Sequence, residues 1–98
     1  MYYTYVLLSD KDGKFYTGYT SDLKERFEAH CRGQVLSTRD RRPLRLVYYE
    51  ACMDKKDAHH RETYLKTSHG KMFLHNRLKS YLTGCKRLLS SFKLAKNL

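Results

Sequence analysis

Apolar and polar positions change rhythm along this chain, and each change marks an element. Residues 2–9 (YYTYVLLS) are a nearly unbroken run of aromatic, β-branched and aliphatic side chains, the composition of a strand. Asp10-Lys11-Asp12-Gly13 is a turn signal, and residues 14–19 read as a second strand, so the two make a β-hairpin with a short loop. A helical period follows. Thr20, Ser21 or Asp22 can cap that helix, and Asp22 with Glu25 has capping-box spacing. The helix should run to about Cys31 and end near Gly33.

Residues 33–43 (GQVLSTRDRRP) form a basic loop closed by the only proline, and residues 44–50 (LRLVYYE) read as a third strand. Asp54 opens a second helix that continues to about Lys66. Ser68-His69-Gly70 breaks it, and a third helix runs from about Lys71 to Leu82 and stops at Gly84. Beyond lies one more short helix or a loose basic tail. The order ββαβαα predicts an α+β domain over residues 1–84, its three short strands packed on one or both faces by helices, followed by a basic C-terminal tail over 85–98. No internal repeat or low-complexity segment is present.

Composition narrows the classes. A length of 98 residues suits one modest core, and 41% hydrophobic content fits a folded rather than a disordered chain. Lys and Arg number 20 against 10 acids, a formal net charge of +10. Every acid precedes residue 85, whereas Lys86, Arg87, Lys93 and Lys96 lie in the tail. Such a surface favours a polyanionic partner, with nucleic acid ahead of an anionic membrane. Three widely spaced cysteines (Cys31, Cys52, Cys85) with no C-x-x-C argue against a disulfide framework and a structural zinc site. The apolar N-terminal run is too short for a signal peptide or a membrane span. The expectation is a reduced, cytoplasmic protein.

Several polar residues fall where a plain amphipathic helix would carry leucines. On a helical wheel with Leu23 at zero, Phe27 falls at about +40°, Arg26 at about −60° and His30 at about −20°. Leu23 and Phe27 are then the core-facing pair, and Arg26 and His30 flank or share that face. Glu25, Glu28 and Arg32 point to solvent. In the second helix the apolar face is Ala58 and Leu65. Glu62 sits four residues after Ala58 on that side and Arg61 borders it. A half-buried carboxylate needs a partner, so a salt bridge of Glu62 with Arg26 or Arg61 is one expectation. In the hairpin, alternation puts Tyr3, Tyr5 and Leu7 on one face, and Tyr16 and Gly18 alternate on the next strand. Gly18 permits close backbone approach, and Tyr5 and Tyr16 are expected as cross-strand neighbours.

Together these are the parts of a phosphodiester hydrolase. A carboxylate can hold one divalent ion, with waters and a phosphate oxygen in the other positions. An arginine can clamp the non-bridging oxygens, and a tyrosine or histidine can take the proton of the attacking water. His59-His60 and the adjacent His30-Cys31 pair read instead as ordinary surface neighbours, because consecutive helical residues point about 100° apart.

Residues 1–83 resemble the GIY-YIG nuclease superfamily, most closely its small single-domain members related to the N-terminal nuclease domain of the DNA-repair excinuclease. Tyr16-Thr17-Gly18 looks like the YIG half of the name motif, and Tyr3-Thr4-Tyr5 like the GIY half. Arg26 falls where the family keeps its catalytic arginine, and His30 follows as in many members. Residues 38–49 (TRDRRPLRLVYY) are similar to the third-strand entry, with its Arg42-Pro43 pair. Glu62 in RETYLK looks like the metal-binding glutamate, and Asn76 matches the asparagine on the next helix. The chain departs from the pattern at Tyr3 (for glycine), at Thr4 and Thr17 (for isoleucine), and at Tyr19, where excinuclease-type members often carry lysine.

That resemblance implies a three-stranded antiparallel sheet flanked by helices and cleavage of DNA with one Mg²⁺ or Mn²⁺ ion and no small-molecule cofactor. By it, Tyr5 or Tyr16 helps activate water, Arg26 stabilises the phosphate, His30 assists and Glu62 carries the metal. The basic loop (Arg39, Arg41, Arg42, Arg45) and the tail would grip phosphates without reading bases. Family nucleases usually take specificity from another domain or a partner protein. The expected function is a metal-dependent DNA endonuclease, structure-selective and tied to repair or recombination. Its alternative is a nucleic-acid-binding module with the nuclease fold and little or no activity. A ribosome- or membrane-associated basic protein would explain the charge but not the inward polar residues.

Overall fold

The computed structural model of the protein describes residues 1–84. The expected tail, 85–98, lies outside the described residues. Strands β1 (Tyr2–Ser9) and β2 (Phe15–Thr20) form the hairpin. Helix α1 (Leu23–Cys31) and a one-turn helix α2 (Leu36–Arg39) lead to strand β3 (Leu44–Cys52), followed by helices α3 (Lys55–Leu65) and α4 (Ser68–Arg77). Residues 79–84 are again helical. The sheet is antiparallel throughout, in the order β2-β1-β3. The expected α+β class and three-stranded antiparallel sheet are therefore observed, with α2 as an extra turn inside the basic loop.

The central position of β1 explains why its sequence does not alternate. Tyr5 and Leu7 face α1, in a cluster with Leu44 that Tyr16, Leu23, Phe27 and Leu46 complete. Val6 faces the other way, clustering with Leu65 of α3 and Leu74 of α4. Helices cover both faces, so apolar side chains suit both sets of positions. A bulge in β3 lies at Val47, because Val6 pairs with Tyr48 while Leu7 pairs with Leu46. It lets Val47 and Tyr48 both pack on the Val6 side.

The caps follow the sequence. Asp22 precedes α1 and its side chain accepts from the Glu25 amide, and Asp54 does the same for the Lys56 amide at the start of α3. Two expectations are corrected. Ser68-His69-Gly70 is not a break but the first turn of α4, capped by the Thr67 side chain, which accepts from the Gly70 amide. Gly70 is buried because α4 turns back onto the end of α3, where a β-carbon would collide with the Tyr64 carbonyl. Tyr5 and Tyr16 are not directly opposite: Tyr5 pairs with Gly18 and Tyr16 with Leu7, so the tyrosines are diagonal neighbours.

The basic loop is tied to the hairpin turn. Buried Ser9 donates to the Arg41 carbonyl at 2.6 Å and accepts from the Lys11 and Asp12 amides, each at 3.1 Å. The Arg41 guanidinium returns to Asp12 at 2.6 Å and to the Lys14 and Phe15 carbonyls. That guanidinium holds the Asp12 carboxyl below the usual carboxylate range. Among the described residues no helix is long and apolar enough to cross a membrane, and Cys31 and Cys52 are free thiols.

Candidate active site

Tyr5 is the centre of the site. Its ring lies across β2 at Gly18, where a β-carbon would sit 2.5 Å from the phenol oxygen. The glycine thus gives clearance to the tyrosine itself. Only 1% of Tyr5 is exposed, and burial raises its phenol above the ordinary value, with the Arg26 hydrogen bond opposing. The hydroxyl is 2.8 Å from His30 Nε2 and accepts from Arg26 Nε at 3.4 Å.

Helix α1 brings the two residues that the wheel sets beside its apolar face. His30 is fully buried, packed by the Tyr5 and Tyr16 rings with centroids 5.6 and 5.2 Å away. Burial first, and the Arg26 charge second, push its imidazole down to about 4, so it is neutral at physiological pH. Its Nδ1 lies 2.7 Å from the hydroxyl of Thr38, also fully buried. Arg26, one turn earlier, has an exposed surface. Its guanidinium is held further toward the charged state, chiefly by the hydrogen bond with Tyr5 and also by Tyr16. Tyr16 is half-buried, and its hydroxyl accepts from Ser37 at 3.4 Å.

Helix α3 supplies Glu62, whose side chain is only 15% exposed. Its expected partners are Arg26 or Arg61. Instead, His59 Nε2 lies 3.9 Å and Lys66 Nζ 3.7 Å from Oε1. Arg61 turns to Glu50 of β3, with contacts of 3.1 and 2.9 Å, and its guanidinium carbon lies 4.7 Å from the centre of the Phe73 ring. The Glu62 charge is the smallest of the influences that raise the Tyr5 phenol, burial being the largest. His59 also meets the ring of Tyr19, at 5.0 Å between centroids.

The structure therefore gathers Tyr5, Tyr16, Gly18, Arg26 and His30 in one cluster, whereas the ionic contacts of Glu62 are with His59 and Lys66. Asn76 is exposed on α4, and among the described residues no hydrogen bond joins it to this group. Among the basic residues, Arg41 pairs with Asp12 and Arg45 with Asp10 at 2.9 Å. Arg42 donates to the Arg39 and Cys31 carbonyls at 2.9 and 3.4 Å, and Arg39 is exposed. Thr38 and Ser37 escape a reading of the sequence, since a single helical turn within a polar loop leaves no periodicity.

Among the described residues no group of three or more His, Cys, Asp or Glu side chains could hold a metal. Glu62 is a poorly exposed carboxylate whose neighbours are the His59 imidazole and the Lys66 ammonium. A carboxylate of this kind suits Mg²⁺ or Mn²⁺, which keep several waters and take phosphate oxygens.

The sequence profile described as the GIY-YIG catalytic domain matches residues 1–79. A UPF0213 protein of Clostridium perfringens is 43% identical over 67 residues, covering 67% of this chain and 71% of the relative. One from Lacticaseibacillus paracasei is 46% identical over 66 residues, covering 66% and 73%. The solution NMR structure of a UPF0213 protein from Bacillus halodurans is 38% identical, covers 78% of this chain and 84% of its own, and has a TM-score of 0.48.

Proposed function

We propose that this chain, which belongs to the GIY-YIG catalytic domain family, is a metal-dependent endonuclease that hydrolyses phosphodiester bonds in DNA. The observation that carries the reading is the single hydrogen-bonded group of Tyr5, Arg26 and His30 with Tyr16 packed on it. An arginine with an exposed surface and an anchored Nε leaves the rest of its fork for the non-bridging oxygens of a phosphate. Glu62 would hold one Mg²⁺ or Mn²⁺ ion, which when bound offsets charge on the phosphate and the leaving oxygen.

The two tyrosines divide the work. Tyr5 is shut away from water and its oxygen is engaged on both sides, so it fixes Arg26 and His30. Tyr16 is the tyrosine that water can reach, and it is the group we assign to take the proton of the attacking water. Arg39 and the exposed parts of Arg42 and Arg45 would grip neighbouring phosphates without reading bases. A structure-selective role in repair or recombination, with specificity supplied by a partner protein, follows the family resemblance.

The test is nicking of branched, flapped and plain duplexes by purified full-length protein with Mg²⁺ or Mn²⁺. Glu62→Ala and Arg26→Ala should each lower cutting by roughly 100-fold or more, with circular dichroism unchanged. Tyr16→Phe should cost more than any loss of DNA affinity explains. Equal cutting by wild type and Glu62→Ala overturns the assignment. Tight binding without cutting of any substrate would make the chain a binding module on the nuclease fold.

A further inference from the structure

Thr38 has no part in the chemistry above. It is fully buried within α2, while Ser37 and Arg39 on either side are exposed. Its hydroxyl lies 2.7 Å from His30 Nδ1 and 3.5 Å from the Val35 carbonyl. The other imidazole nitrogen meets the Tyr5 hydroxyl at 2.8 Å, and that oxygen accepts from Arg26 at 3.4 Å. One chain of hydrogen bonds thus runs from the exposed guanidinium through Tyr5 and His30 to the loop that carries the basic residues.

A neutral imidazole has one donor and one acceptor nitrogen, so the chain can run in two directions. Running inward, Tyr5 donates to Nε2, Nδ1–H donates to Thr38, and the Thr38 hydroxyl donates to the Val35 carbonyl. Every hydrogen in the chain then has an acceptor. Running outward, Thr38 donates to Nδ1 and Nε2–H donates to the Tyr5 oxygen, which already receives the Arg26 N–H. The Tyr5 hydrogen must then find another acceptor from a side chain that is 1% exposed. Buried polar groups are normally paired, and only the inward direction pairs them all within the chain.

We infer that Thr38 is a positioning residue that holds His30 in its Nδ1–H tautomer, so that Tyr5 stays a hydrogen-bond donor to His30 and an acceptor for Arg26. The inference deepens the nuclease reading: Thr38 would set the orientation of the phosphate-binding guanidinium from two residues away, and would keep Tyr5 from taking over the proton-accepting role of Tyr16. It also links α2 to the site, so that the loop bearing Arg39 and Arg42 is built onto the same hydrogen-bond chain.

The test compares full-length wild type, Thr38→Ser and Thr38→Val near neutral pH. Ring-nitrogen shifts of His30 from long-range ¹H–¹⁵N correlation report the tautomer, and single-turnover cutting reports its consequence. Wild type and Thr38→Ser should show Nδ1–H. Thr38→Val, which keeps the shape and loses the hydroxyl, should shift His30 toward Nε2–H. Its turnover should fall on the order of tenfold, the lower end for groups that orient a functional histidine, with KM for DNA unchanged. An Nε2–H wild type, or a folded Thr38→Val that keeps Nδ1–H, overturns the inference whatever happens to cutting. Should Thr38→Val fail to fold, the wild-type tautomer still decides. Correct tautomers with no cutting by wild type would sink the nuclease reading instead and leave the positioning role standing.

Discussion

Acidification should destabilise this protein through His30 before most of its carboxylates are protonated. The residue is fully buried, and its pKa falls from 6.5 in the free side chain to about 4, by burial and by the Arg26 charge. Above pH 6.5 neither the folded nor the unfolded chain binds a proton there. As the pH drops below that value, the unfolded chain gains a proton that the folded chain refuses. Stability then falls by about 1.4 kcal/mol per pH unit. Across the whole window the loss is roughly 3 kcal/mol, and below the folded value His30 contributes no further change. Against the ~5–15 kcal/mol typical of a domain, that is a large share. The assay is urea denaturation of wild type and His30→Asn from about pH 7.5 to about pH 4.5. The exposed histidines His59, His60, His69 and His75 are present in both proteins and cancel in the difference. Wild type should lose its advantage over the variant as the pH falls. A constant difference across that range would refute the reasoning, as would an NMR titration of His30 centred near its free value.

Two further outcomes rest on single contacts. Gly18→Ala puts a β-carbon 2.5 Å from the Tyr5 hydroxyl and 2.7 Å from its ring, and should cost about 1–3 kcal/mol by overpacking, read as a lowered thermal midpoint together with a loss of cutting. Ser9→Ala removes the hydroxyl that joins the hairpin turn to the Arg41 carbonyl. It should cost roughly 1–3 kcal/mol, and limited proteolysis should show earlier cleavage within residues 10–14 and 40–43.

The strands and caps are legible in the sequence because their signals are local: a β-rich run, a turn, an Asp before each of two helices. Arg26 and His30 are legible because the helical wheel puts them beside Leu23 and Phe27, and both meet Tyr5. What the wheel cannot supply is the rotamer, so Glu62 is expected against Arg26 or Arg61 and instead meets His59 and Lys66. Register escapes such a reading because the five residues between the hairpin strands, not residue type, decide which side chain faces Tyr5. Gly70 reads as a breaker by propensity, yet its missing side chain is what α4 needs to turn against the end of α3. Thr38 is illegible because its role depends on a contact eight residues away across two helices.

The covering of β1 on both faces and its pairing on both edges have a consequence for how order is distributed through the site. Amides of such a strand, paired on both edges, should be among the last to exchange with solvent. Tyr5 is therefore mounted on the strand expected to open last among the described residues. Arg26 and His30 ride on a helix of 9 residues, and Thr38 on one of 4, segments of the kind that open locally at lower cost. The site is a rigid post with its functional groups fastened to it from looser surroundings, and the hydrogen bonds made by one buried phenol are the fastening.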